Sequence, residues 1–243
     1  MKRLTIILAF MPGMIFSQNP TAKQIIDQID RNMASKSRIF TATMIVHATR
    51  GERTMEMKCW SEGEKRSFTE YLSPAREKGT KMLKLENQLW MYSPSADRII
   101  QISGHMLRQS VMGSDLSYED MMDDRRLTDK YDAAVIGEET VEGRSCWVLE
   151  LRAKVEDVAY NQIKMWIDKE HSVPVKEDFY AKSGKLLKQT TLSDIRKIGG
   201  RWFPMKIAYR DMLKTGAGTE FIINEIQFDS EIPESLFSKA SLR

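Results

Sequence analysis

The sequence contains little of what catalysis or metal binding requires. It has three histidines, His47, His105 and His171, and no two of them stand at a metal-ligand spacing. A G-x-S-x-G elbow, a glycine-rich phosphate loop and a C-x-x-C pair are also missing from the sequence. We therefore expect a protein that is not an enzyme and that uses no cofactor and no metal.

Net charge, long apolar runs and cysteine are scarce as well. The formal net charge is +3, which gives no electrostatic footprint for nucleic acid. No apolar run reaches the roughly 20 residues that span a bilayer as a helix. The two cysteines, Cys59 and Cys146, could pair in an oxidising compartment or remain as two buried thiols.

The N-terminus has the pattern of an export signal. Lys2 and Arg3 precede an apolar stretch of signal-peptide length, and Ser17 is small enough to precede a cleavage site. We expect residues 1–17 to be a signal peptide cleaved after Ser17, which leaves 18–243 as a single periplasmic domain. The alternative is a buried N-terminal helix. No cysteine lies near the cut, so we expect no lipid anchor.

The hydrophobic period then changes from that of a helix to that of strands. Residues 21–33 place Ile25, Ile26, Ile29 and Met33 on one helical face. From residue 40 onward, apolar and polar residues alternate in segments separated by turn residues. The fold class predicted is mainly β with a few helices: a single incomplete, unclosed antiparallel β-barrel of about eleven or twelve strands wrapped around lid or plug helices.

Rows of large apolar residues predict the inside of such a barrel. Methionine, of which the chain has 16, adapts to irregular apolar shapes, so a cavity is one interpretation and ordinary core is the other. The candidate cavity residues are Met44, Met55, Met57, Trp147, Leu149, Leu151, Ile163, Met165, Ile167, Met205, Ile207 and Tyr209.

The stretch SVMGSDLSYEDMMDD, residues 110–124, interrupts the strands with a helix start. Gly113 is a flexible point, Ser117 can cap the turn, and Tyr118, Met121 and Met122 follow. Because adjacent side chains point in different directions, one methionine can enter the cavity while the other packs at the rim. We predict a movable lid over residues 104–124, with a rigid plug as the alternative.

The same stretch carries the one local concentration of carboxylates: Asp115, Glu119, Asp120, Asp123 and Asp124. A calcium or acid–base role is conceivable, but the spacing matches no calcium loop, and two arginines follow immediately. The interpretation preferred is a solvated, capped helix with acids near the positive end of its dipole.

Several stretches together resemble the outer-membrane lipoprotein-sorting proteins, the LolA/LolB-like group. They are LWMYSPSADRIIQI (89–102), MGSDLSYEDM (112–121), KMWIDKEHSVPVKEDFYAKSGKLLK (164–188), GGRWFP (199–204) and IPESLF (232–237). The resemblance implies an unclosed barrel whose helices cover an apolar cavity for lipoprotein acyl chains. It also implies an early-strand arginine that holds the lid, for which Arg50 and Arg53 are both candidates.

The expected function is that of a periplasmic carrier or chaperone. It would bind lipoprotein acyl chains or another lipid in the cavity for transfer toward the outer membrane, as a monomer. Possible protein partners are an inner-membrane transporter or an outer-membrane acceptor; nucleic acid is not expected. The alternative is a non-enzymatic periplasmic adaptor or assembly factor for a membrane transporter or outer-membrane machine.

Overall fold

The computed structural model describes residues 19–49, 51–122 and 127–243. The predicted signal peptide, Arg50 and the acids Asp123 and Asp124 lie outside these residues.

Helix α1, Ala22–Met33, opens the described chain where the sequence predicts an amphipathic helix. Thr21 and Gln24 form a capping box: the Thr21 hydroxyl accepts from the Gln24 amide, and the Gln24 side chain accepts from the Thr21 amide. Ile25, Ile26 and Ile29 are buried, so the predicted apolar face is the one that packs.

The described residues form one antiparallel sheet of thirteen strands, so the predicted fold class is confirmed and the predicted count is slightly low. The short strands β4 and β6 have five residues each; β4 pairs with β3 and β5, and β6 pairs with β5 at the edge. The strands are β1 Ser37–Ala48, β2 Gly51–Glu62, β3 Arg66–Ser73, β4 Lys81–Leu85, β5 Gln88–Ser93, β6 Arg98–Ile102, β7 Tyr131–Val141, β8 Arg144–Ala153, β9 Gln162–Asp168, β10 Pro174–Tyr180, β11 Leu186–Ile198, β12 Arg201–Asp211 and β13 Gly216–Phe228.

The order of the strands explains why a long connection separates β6 from β7. Strands β1 and β13 pair at the centre, and the sheet continues outward to β6 at one edge and β7 at the other. The two edge strands are consecutive in the chain, so the residues between them must cross from one edge to the other. Two 3₁₀ turns, Gly104–Arg108 and Val111–Gly113, and two short helices, α2 Tyr118–Met122 and α3 Leu127–Lys130, make this connection. We call residues 104–122 the covering segment.

The concave face of the sheet carries three apolar clusters, and the one formed by Phe203, Met205 and Ile223 shares partly buried residues with the other two. Helix α1 packs over β8 and β9 on one half, and the covering segment packs over β1, β2 and β3 on the other. The C-terminal residues Phe237 and Leu242 pack on the opposite face, against Phe68, Leu83 and Trp90. Among the described residues, no helix is both long and apolar enough to pass through a membrane.

Candidate functional site: an apolar cavity under the covering segment

An apolar cavity of about 320 Å³ lies between the covering segment and the central strands. Its walls come from β1, β2, β3, β12 and β13, and its cover contributes Val111, Leu116 and Met121. The strand register brings two of the lining residues close together. Met57 on β2 and Ile223 on β13 both line the cavity, and they lie on either side of Ala42, which is 1% exposed and is not part of the lining.

Four of the candidate cavity residues line this cavity: Met44, Met57, Ile207 and Tyr209. Met55 is buried in the same cluster, 1% exposed, but does not line the cavity. Met205 packs in a neighbouring cluster with Phe203 and Ile223.

The other six candidates lie elsewhere, under helix α1. Leu149, Leu151 and Ile167 are 0% exposed, and the isoleucines of α1 fill the space above them. The register pairs these residues across β8 and β9. The pairs are Trp147 with Ile167, Leu149 with Met165, and Leu151 with Ile163. Alternation identified the correct face of each strand, but it carried no information on which half of that face α1 would cover.

Sequence reasoning found Tyr209 but missed other aromatic residues and the polar part of the cavity wall. Phe40 and Phe221 meet edge to face with ring centroids 6.4 Å apart, and Tyr71 lines the cavity beside them. Arg38 and Ser61 line it as well. Each of these residues faces the same side of the sheet as a candidate on its own strand or on a neighbouring strand, and this alternation was the signal available. For Arg38 and Ser61 the signal was overlooked because both side chains are polar.

The predicted lid residues divide between the cavity and its surroundings. Met121 lines the cavity, whereas Met122 lines a neighbouring cleft, as two adjacent helical side chains require. Tyr118 is buried, and its hydroxyl lies 3.8 Å from the Met91 sulfur. Ser117 caps α2, since its hydroxyl accepts from the Asp120 amide at 3.2 Å.

Gly113 allows close contact between the covering segment and the sheet. It has φ of +72°, and a Cβ built there would lie 2.7 Å from Nη2 of Arg53. The same guanidinium nitrogen donates to the Met112 carbonyl at 2.7 Å. Of the two early arginines considered from the sequence, Arg53 therefore reaches the covering segment; Arg50 lies outside the described residues.

Two further polar contacts hold the covering segment to the β12–β13 hairpin. The Asp115 carboxylate accepts from the Thr219 hydroxyl at 2.7 Å and from the Asp211 amide at 3.0 Å. Lys214 donates to the Ser110 hydroxyl and to the Ser114 carbonyl, both at 2.6 Å. These contacts correct the expectation that the acids of this segment are solvated, because Asp115 is used to join two elements.

Asp120 makes the most enclosed of these contacts. It forms an ion pair with Lys188 on β11, and it accepts from the Tyr160 hydroxyl at 2.7 Å. Burial alone would raise the pKa of Asp120, but the Lys188 ammonium and the hydrogen bonds from Ser117 and Tyr160 outweigh burial and lower the pKa. This carboxylate is therefore ionised at neutral pH and ties α2 to the opposite half of the sheet.

A larger cleft, of about 570 Å³, lies on the other side of α2. Charged and polar residues dominate its lining, among them Glu86, Asp120, Lys130 and Asp157. Such a surface gains nothing from contact with hydrocarbon, since polar groups lose their hydration when an apolar molecule covers them. The smaller cavity is the one whose chemistry suits an apolar ligand.

Among the described residues, no group of three or more His, Cys, Asp or Glu side chains could hold a metal ion. Cys59 and Cys146 are free, buried and in different clusters. Burial raises the pKa of the Cys59 thiol to about 12, so this cavity-lining cysteine is an inert apolar surface.

Comparison with known proteins identifies the fold. The model of a family described as "Uncharacterized protein" matches residues 63–243. Comparison with the curated proteins gives no match. A DUF1329 family protein from Desulfovibrio piger is 26% identical with a TM-score of 0.81, and the match covers 91% of this chain and 99% of that one.

Two other solved structures carry names that agree with the resemblance seen in the sequence. One is a domain of an outer membrane lipoprotein-sorting protein from Vibrio parahaemolyticus, 24% identical with a TM-score of 0.79, covering 91% of this chain and 97% of that one. The other is a LolA superfamily protein from Nitrosomonas europaea, 24% identical with a TM-score of 0.75, covering 92% of this chain and 100% of that one. The resemblance is thereby confirmed at the level of the fold.

Proposed function

The chain belongs to the family whose model matches residues 63–243 and has the fold of the outer membrane lipoprotein-sorting and LolA superfamily proteins, and from this premise we propose that it carries a lipid. The cargo is a lipoprotein acyl chain or another lipid, held in the apolar cavity without covalent chemistry. Export by the signal peptide over residues 1–17, a single periplasmic domain over 18–243 and transfer toward the outer membrane belong to the same proposal.

The cavity under the covering segment is the observation that supports this function. Its volume of about 320 Å³ is at the lower end of the roughly 300–1,000 Å³ of small-molecule pockets, which suits one acyl chain. Burying a chain stabilises a complex by about 0.8 kcal/mol per methylene. A single chain in this cavity therefore binds usefully without charged partners.

A titration with a fatty-acyl probe, whose fluorophore responds to apolar surroundings, tests the proposal. Ile207→Trp fills the cavity and should weaken binding by about tenfold or more, since excluding two methylenes already has that effect. Ile136→Trp adds the same indole at a position that is 52% exposed and should bind as the wild type does. Wild-type protein that neither binds the probe nor co-purifies with lipid would refute the carrier function.

Cargo entry requires the covering segment to move, and this motion is part of the proposal. Asp115 and Thr219 are in side-chain contact across the interface that must open. A disulfide between Asp115→Cys and Thr219→Cys, in a Cys59→Ser and Cys146→Ser background, should block probe uptake when oxidised and restore it when reduced. Uptake that is equally fast in both states would leave the rigid plug as the correct alternative.

The adaptor function remains a second candidate because the β12–β13 turn is apolar and exposed. Leu213 is 59% exposed and Met212 is 38% exposed, beside the residues that hold the covering segment. In the carrier these two side chains lie where a donor or acceptor protein could reach the opening. Leu213→Ser should leave probe affinity unchanged. If the protein binds no lipid, yet loss of Leu213 abolishes its biological activity, the adaptor function is the better account.

A further inference from the structure

The buried polar atoms without a hydrogen-bond partner are concentrated in one place. Among the described residues there are three such side-chain atoms: Ser35 Oγ, Arg38 Nε and Ser61 Oγ. Ser35 lies two residues before β1, Arg38 lies near the start of β1, and Ser61 lies near the end of β2, directly opposite Arg38 in the register. Buried polar groups without partners are costly and uncommon in folded proteins, so the facing pair Arg38 and Ser61 needs an explanation.

This site lies at one end of the apolar cavity. Arg38 and Ser61 line the cavity together with Phe40 and Met57, so an apolar wall continues directly into a polar end. Beyond them is a second pocket of about 230 Å³, which shares Arg38, Ser61, Ser67 and Met121 with the cavity and adds Gly63, Glu64, Arg66 and Lys84, that is, two further cations and one acid. A molecule that occupies both spaces must be apolar along most of its length and polar at one end.

The charges around Arg38 indicate which kind of polar end fits. Burial lowers the pKa of Arg38, Glu64 opposes that effect, and Arg201 adds to it by repulsion. Arg201 is held by Asp229 and by the Ala34 carbonyl, and Lys84 donates to the carbonyls of Glu64 and Met122. The guanidinium of Arg38 has no such hydrogen bond at Nε, and it is the group that would gain most from a negatively charged oxygen.

We propose that the cavity is selective for a single-chain amphiphile with an anionic oxygen head group, whose chain lies against Phe40, Met44 and Met57 and whose head group accepts hydrogen bonds from Arg38 and Ser61. A carboxylate or a phosphate ester supplies the required chemistry. The inference rests on the proposed function and specifies its cargo. The acyl chain provides the binding energy, and the head group fixes its orientation and the choice of lipid.

The binding of two matched probes tests this selectivity. One is a fatty acid with a fluorophore at the far end of its chain, and the other is its methyl ester. The wild-type protein should bind the acid about 10- to 100-fold more tightly, because hydrogen bonds to a charged group are worth about 1.5–3 kcal/mol. Arg38→Met should remove this preference, so that acid and ester bind with affinities within about threefold of each other, because the cation that recognises the charged head group is gone.

A control substitution at an arginine outside the site, and a second variant within the site, make the result interpretable. Arg196 is exposed and paired with Asp194, so Arg196→Met should retain the full preference for the acid. Arg38→Met should also raise the melting temperature of the lipid-free protein, because it removes a buried charge that lacks its hydrogen bond. If Arg38→Met fails to fold, Ser61→Ala should still reduce the preference for the acid by about threefold or more.

The outcomes separate this inference from the function on which it rests. Acid and ester bound with equal affinity by the wild type would overturn the head-group site and leave the lipid carrier intact. Neither probe bound would overturn both. Inorganic phosphate added in excess should not displace the acid probe, because a free anion has no chain to bury. Displacement that depends on Arg38 would instead assign the site to a free anion and overturn the lipid assignment.

Discussion

The two halves of the concave face differ in what covers them. Helix α1 places its isoleucines directly on Leu149, Leu151 and Ile167, all of which are 0% exposed. The covering segment lies over an equally apolar surface but leaves about 320 Å³ empty. Helix α1 is an amphipathic helix with a continuous apolar face, whereas the covering segment consists of short turns held by polar contacts at Ser110, Met112, Ser114, Asp115 and Asp120. One half is therefore a packed core, and the other encloses the cavity proposed to hold the lipid.

Truncating one methionine on each half should give the largest measurable difference between the two halves. Met165→Ala removes a side chain from the packed half and should lower the free energy of unfolding by about 4 kcal/mol, since the void is new. Met57→Ala enlarges a space that already exists and should cost only about 2 kcal/mol, because that side chain has fewer contacts to lose. Urea denaturation measures both, and equal losses would mean that the halves are packed alike.

Asp120→Asn should have the next largest effect, because it leaves the Lys188 ammonium enclosed without its carboxylate. We expect a loss of about 3 kcal/mol, with most of it recovered when Lys188→Met is added. If the double variant is no more stable than the single one, the ion pair is not what holds α2 to the sheet.

The ion pair between Asp120 and Lys188 also predicts that acid loosens the covering segment. The pKa of Asp120 is lowered in the folded protein, so its contribution is complete above the unfolded value of 3.8 and is lost as the pH falls through the native pKa. Hydrogen exchange in residues 117–122 should increase over that range in the wild type but not in the double variant. Exchange that does not change with pH would contradict the role of this carboxylate.

More of the fold than of the candidate site could be predicted from the sequence. Alternation in segments such as β1 and β2 specified which side chains face inward, and the 3.6-residue period specified α1. Which inward residues surround a cavity depends on how α1 and the covering segment divide the face, and that is a matter of packing between distant segments. Arg38 and Ser61 were missed for another reason: pattern analysis assigns polar residues to the solvent.

The length of the acyl chain should change affinity by a smaller and regular amount. Each pair of added methylenes should strengthen binding by about 1.6 kcal/mol, a factor of about 15, until the cavity is full. Isothermal titration with a homologous series measures the slope and the length at which it ends. Affinity independent of chain length would mean that the chain remains outside the cavity.

A substitution at Glu177, at the boundary of the two halves, should have the smallest effect on the free energy of unfolding. It pairs in register with Met165, and its carboxylate accepts from the Thr190 hydroxyl at 2.7 Å. Burial raises its pKa against the opposing effect of that hydrogen bond, so the folded state loses stability as the pH rises from the unfolded pKa through the folded one. Glu177→Gln should therefore gain about 1 kcal/mol at neutral pH and nothing in acid, as measured by thermal unfolding. A gain of the same size at both pH values would contradict this account.

Methionine methyl NMR with a bound fatty acid tests the central claim most directly, because methionines report on both halves at once. With selectively labelled methyl groups, saturating lipid should shift the signals of Met44, Met57 and Met121, which line the cavity. The signal of Met165, packed under α1, should stay in place. Shifts at Met165 without shifts at Met57 and Met121 would show that lipid enters the wrong half, and the account would fail.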